Sequence, residues 1–163
     1  MKTCMYFVLL MMSVVLTPSL CAAKAGVGPS KADIAGQFAI WNNALKTGKA
    51  EQVAALYCEH GGVLIPTVSN KIRSNRTEIT DYFEHFLLLK PSGQIDQSFI
   101  RVLSPDVALR AGIYTFHVVK DGKPDTVKAR YTFVYAKEHG HWCIMEQHSS
   151  ALPESEVGPT TTH

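Results

Sequence analysis

The chain has no apolar run long enough to cross a bilayer. Its longest, Met5 to Leu16 with Ser13 as the one polar member, is about a dozen residues, whereas a spanning helix needs roughly 20. It has little net charge: 16 Lys and Arg against 14 Asp and Glu leave +2, and one of the positives is Lys2. No basic stripe or polybasic patch is present, which leaves no electrostatic footing for nucleic acid or for an anionic membrane surface. There is no internal repeat, so a solenoid or propeller is excluded. Cysteines number only four, too few for a disulfide-built scaffold.

What is present begins with a leader. Lys2 is a short positive region, the apolar run follows, Pro18 and Ser19 break it, and Ala23-Lys24-Ala25 fits a small-x-small cleavage site. Residues 1–25 are expected to be a signal peptide and 26–30 a flexible lead-in, with cleavage after Ala23 as the alternative. Leu20 before Cys21 is too bulky for a lipidation site. The expected destination is the periplasm or the cell exterior. Roughly 140 residues remain, enough for one domain with its own core.

Cleavage removes Cys4 and Cys21 and leaves Cys58 and Cys143 as the only possible intramolecular pair. A bond between them would stabilise by roughly 4–5 kcal/mol; two buried thiols packing as small hydrophobes is the other reading.

The domain, residues 31–152, reads as α+β. Ser30 and Asp33 mark a helix start, Ile34, Phe38, Trp41 and Leu45 make one apolar face, and Gly48 ends the helix. A short helix over Ala50 to Tyr57 and a strand Val63-Leu64-Ile65 follow. After a polar loop, Thr77 is expected to cap a third helix carrying Ile79, Tyr82, Phe83, Phe86 and Leu87. Strands are expected at 95–103, 107–119, 126–137 and 141–150, with turns at Ser104-Pro105-Asp106, Asp121-Gly122 and His139-Gly140. Residues 153–163 read as a flexible tail. A strongly curved antiparallel sheet wrapped around the N-terminal helix satisfies this order, because the helix must bury Phe38 and Trp41. Such a cone has an open mouth.

The element order resembles the nuclear-transport-factor-2-like superfamily. So do the segments Trp41 to Leu45, Leu64 to Asn70, Asp81 to Phe86, Ala129 to Tyr135 and His148-Ser149-Ser150 before Pro153. Within that superfamily, often filed as SnoaL-like or SgcJ/EcaC type, the chain is most similar to bacterial relatives of the association (hub) domain of calcium/calmodulin-dependent protein kinase II. The resemblance implies the cone fold and self-association into a dimer or larger ring. It does not imply one chemistry, since the superfamily holds isomerases, cyclases, dehydratases and non-catalytic assembly domains. Counting back from Trp142, the hub's cavity arginine in this strand falls at Phe133, so that ligand site is not carried over. The acid and tyrosine of ketosteroid isomerase have no match, and there is no kinase domain.

Several residues could carry chemistry. Arg130, in an apolar strand, reads either as an anion clamp or as a structural partner of Glu146. Glu146 and His148 share strand parity with Trp142 and Ile144, and are the acid–base candidates near the mouth. Tyr57, Tyr82 and Tyr114 could place hydroxyls in the cone, with Trp41 as an apolar wall. Arg73 and Arg76 could gate the mouth. Tyr131, Phe133 and Tyr135 alternate on one face of their strand and are expected to form an outer interface. His139-Gly140-His141 lacks a spaced third ligand, so no metal is expected, and no cofactor motif is present.

The expected function is therefore an exported, oligomeric, hub-like domain that binds a small carboxylate or apolar ligand. The alternative is a SnoaL-like isomerase, cyclase or dehydratase, with Glu146 or His148 as base and a tyrosine or Arg130 holding an oxyanion.

Overall fold

The computed structural model describes residues 28–152. The expected signal peptide, its cleavage site and the expected flexible tail from residue 153 lie outside the described residues.

The first helix, α1 (Lys31–Lys46), is set at both ends by its sequence. Ser30 Oγ accepts the Asp33 N–H at 3.2 Å, while Asp33 Oδ2 accepts the Ser30 N–H at 2.8 Å, a reciprocal capping box. These bonds hold the Asp33 carboxyl below its ordinary pKa. Gly48, at φ +68°, takes the left-handed turn that closes the helix, its N–H reaching Leu45 O at 3.1 Å. Replacing Ser30 with alanine is expected to lower the melting temperature by about 2–5 °C, read by calorimetry.

Ile34, Phe38, Trp41 and Leu45 are all buried. They lie in the hollow of the sheet, with the Trp41 ring 5.6 Å from Phe133 and 6.0 Å from Phe116. Each such side chain contributes about 1.5–3 kcal/mol of burial. Asn42 fixes the helix along its axis. Its amide accepts from Gly93 N at 2.7 Å and donates to Gly93 O at 2.9 Å, so one side chain serves both backbone polar groups of that residue.

Helix α2 (Ala50–Ala54) is shorter than the expected Ala50 to Tyr57. The Arg76 guanidinium takes the carbonyls of Ala54 and Tyr57 and ends it. Strand β1 (Val63–Ile65) and helix α3 (Arg76–Phe86) follow. The cap of α3 is Asn75, not Thr77: the Asn75 side chain accepts the Glu78 N–H at 3.0 Å.

The sheet has the order β1-β5-β4-β3-β2, with β2 (Ser92–Ser104), β3 (Val107–Lys120), β4 (Lys123–Glu138) and β5 (His141–Ala151) forming an antiparallel meander and β1 parallel to β5. Asp121-Gly122 and His139-Gly140 both have positive φ, the two-residue turns that match strand twist. Two bulges bend β2, one between Ile95 and Gln97 and one between Val102 and Ser104. At the first, a Cβ on Gly112 of β3 would lie 1.9 Å from Gln97 O, so only glycine lets the strands approach. The Tyr131 hydroxyl donates to the same carbonyl at 3.1 Å.

A third bulge lies in β5. Tyr135 pairs with Ile144 and Val134 with Glu146, leaving Met145 as the extra residue. The neighbour of β5 changes at the same place. Before the bulge, Ile144 exchanges hydrogen bonds with Leu56 O and Cys58 N; after it, Glu146 to His148 pair with β1. Cys58 and Cys143 are bonded, with Cα atoms 4.9 Å apart.

Two expectations are corrected here. Tyr131, Phe133 and Tyr135 do not form an outer face: all are buried against α1 and β3. The alternation was right but its phase was reversed, because their hydrophobicity serves the hollow. The buried arginine is Arg110, not Arg130. Its Nε donates to Ser98 Oγ at 2.9 Å, its Nη1 to Ala35 O at 3.0 Å, and its guanidinium covers Phe38 at 5.4 Å.

Candidate functional site

Between α1, α3 and the hollow of the sheet lies a cavity of about 250 Å³. Its walls come from each element in turn. Trp41 stands on α1. Tyr82, Phe83 and Phe86 stand on α3, where spacing of three and four residues brings them to one face. Phe116 and Val118 alternate along β3, and Val127 comes from β4. Pro66, Thr67 and Val68 close one side from the loop after β1. Lys120 and Asp125, both exposed, are its charged lining groups, one of each sign.

One end of the cavity is polar and uncharged. Tyr57 donates to Gln147 Oε1. Tyr114 donates to Ser149 Oγ at 2.5 Å, and Ser149 shares a further hydrogen bond with Thr67 Oγ1. Burial pushes the Tyr57 and Tyr82 hydroxyls well up and raises Tyr114 to about 12. The three phenols therefore stay protonated near neutrality, and Tyr57 and Tyr114 act as donors.

Of the residues singled out in the sequence, Trp41, Tyr82 and Tyr114 line the cavity. Tyr57 stands behind Gln147 and supports it. Arg130, Glu146 and His148 are exposed, on the opposite face of the sheet. The Met145 bulge is the cause: it advances the alternation by one, so Gln147 and Ser149 take the inward places that Glu146 and His148 would have held. The expected pair of Arg130 with Glu146 is absent from the register, since Arg130 faces Ser150 and Glu146 faces Val134. Gln147, Ser149 and Thr67 were missed as site residues. Trp142 to Met145 is apolar at nearly every position, so the pattern carries no phase across the bulge.

A more open groove of about 280 Å³ adjoins the cavity and shares Val68, Tyr82, Phe86 and Leu89 with it. Arg73 and His85 lie in its wall. Arg73 is largely buried, its Nη2 3.9 Å from the exposed Asp81 and its Nη1 donating to Lys71 O at 3.1 Å. Among the described residues the one grouping of metal-binding side chains is Cys58, Cys143 and Glu138, and the disulfide takes both sulfurs.

Residues 30–153 match the family model described as the calcium/calmodulin dependent protein kinase II association domain. The chain belongs to this family. A solved association domain from Xanthomonas campestris is 48% identical to it, covers 78% of this chain and 91% of its own, and superposes with a TM-score of 0.76. More distant structures share the fold of this association domain. One is a nuclear-transport-factor-2-like protein with a cystatin-like fold from Novosphingobium aromaticivorans, at 14% identity, TM-score 0.63, covering 77% of this chain and 84% of that one. Another, from Streptomyces avermitilis and assigned as a dehydratase of the same broad family, shows 13% identity, TM-score 0.64, and coverage of 73% and 94%. No match is found among curated protein sequences.

Proposed function

We propose that this association domain is an exported, self-associating protein whose cone binds a small molecule without transforming it. The observation that carries this reading is the cavity's lining. It is apolar on most sides and ends in hydroxyls and an amide, while the acid–base candidates Glu146 and His148 lie on the far face. An enzyme of the dehydratase or isomerase kind needs a group that exchanges protons near neutrality. Burial keeps the phenols protonated, and Lys120 and Asp125 are exposed.

Binding is tested with a neutral fluorescent naphthylamine dye. Saturable one-to-one binding is expected, reduced at least tenfold by Val127→Trp, which fills the cavity from a partly buried wall position. A dye that does not bind, or binds the variant equally, sinks the reading.

Self-association is supported by the family and by the outer face of the sheet. Phe99 on β2 is 67% exposed there. Leu109, Ile113 and Val134 lie on the same face, with Arg130 and Glu146 offering both signs of charge to a symmetry-related copy. Export is supported by the leader and by the disulfide, which an oxidising compartment maintains.

A further inference from the structure

Hydrogen-bond protons at the polar end of the cavity do not balance. Three hydroxyls stand in a chain there, Tyr114, Ser149 and Thr67, and two hydrogen bonds join them. Two bonds use two of the three protons, whichever way the Ser149–Thr67 bond runs, so one O–H is left over. The Gln147 amide adds to the excess. Its Oε1 is taken by Tyr57. Its Nε2 carries two N–H groups, and even if the neighbouring Tyr114 oxygen accepts one of them the other is left over. The cavity wall thus presents a spare amide N–H and a spare hydroxyl, surrounded by Trp41, Phe83 and Phe116. A buried donor without an acceptor is costlier than an acceptor with an unused lone pair.

We propose that the cone holds an uncharged, largely apolar molecule whose one carbonyl-type oxygen accepts from the Gln147 amide and from the Thr67–Ser149 hydroxyl pair. This rests on the reading of the cone as a binding site and names its ligand class. A carbonyl oxygen has two lone pairs for these two donors; the Trp41 indole N–H, also without a hydrogen-bond partner, is fully buried behind the wall. The volume of about 250 Å³ is just under the range for drug-sized ligands, roughly 300–1,000 Å³, and suits a body of roughly one or two rings. A carboxylate would be stripped of water with no cation at the polar end to meet it.

The test is a matched series on one skeleton, titrated by calorimetry: tetralone, tetralin and tetralin carboxylate. Tetralone is expected to bind about tenfold more tightly than tetralin, and the carboxylate more weakly than either. Gln147→Met alone would strand the Tyr57 hydroxyl and endanger folding. The double variant Tyr57→Phe with Gln147→Met removes both partners of that bond. With its fold checked by circular dichroism, it is expected to cut the tetralone-to-tetralin ratio to within about threefold. Equal binding of tetralone and tetralin to the wild type overturns the ligand class while the binding site stands. Preference for the carboxylate, abolished by Arg73→Gln, overturns it in favour of the adjoining groove. Failure of all three together with the naphthylamine dye removes the binding site itself.

Discussion

Replacing Cys58 and Cys143 together with alanine is expected to lower the melting temperature by roughly 10–20 °C. The bond spans a sequence separation of 85, and closing so long a loop restricts the unfolded chain by roughly 4–5 kcal/mol. Its position adds to the effect. Before the bulge, β5 is held at its outer edge by the segment around Leu56 and Cys58 and not by β1, and the disulfide sits at that junction. Without it, the end of α2 and the Tyr57 support of the cavity can separate from β5. The check is a thermal melt of wild type and variant, each with and without dithiothreitol. Reductant should bring the wild type down to the variant and leave the variant unmoved. A loss below about 3 °C would show that the sheet edge needs no staple.

The second large effect is expected at Gly112. Gly112→Ala should destabilise by about 3 kcal/mol or more. The added Cβ would meet a backbone carbonyl at 1.9 Å, and Gln97 O cannot swing aside as a side-chain tip would. Moving β2 away also strips the Tyr131 hydroxyl of its acceptor. The matched control is Gly36→Ala, on the exposed side of α1 with no atom within 4 Å of the new Cβ. That change should stabilise by about 0.5–1 kcal/mol, because alanine favours helix and narrows the unfolded ensemble. Chemical denaturation of both variants separates a crowded glycine from a merely flexible one; similar effects in the same direction would refute the crowding argument.

Much of the fold was legible because it rests on local signals. Ile34, Phe38, Trp41 and Leu45 announce their helix by spacing alone, Ser30 and Gly48 mark its ends, and Asp121-Gly122 and His139-Gly140 mark the hairpins. The site was less legible, for reasons of phase. Alternation says that Tyr131, Phe133 and Tyr135 share a face, but not that the face is the concave one. Parity counted from Ile144 is correct only up to Met145, and an added residue has no sequence signature at the end of an unbroken apolar run such as Trp142 to Met145. Arg110 shows the same limit in another form. Its acceptors are a serine on the next strand and a helix carbonyl, partners set by tertiary contact, so the sequence could not tell it from Arg130.

Met145 gives the cone a switch of another kind, one that works across generations of sequences. The identity of the inward side chains beyond it depends on a single count along β5. Were the bulge ironed out with the residue kept, so that Met145 paired with Val134, Glu146 and His148 would fall opposite the inward Phe133 and Tyr131, and the amide and hydroxyl of 147 and 149 would turn to solvent. Helix, sheet order and turns would remain. A neutral receptacle and a site equipped to move protons thus lie one register step apart, which offers a simple route by which so uniform an architecture acquires and sheds chemistry.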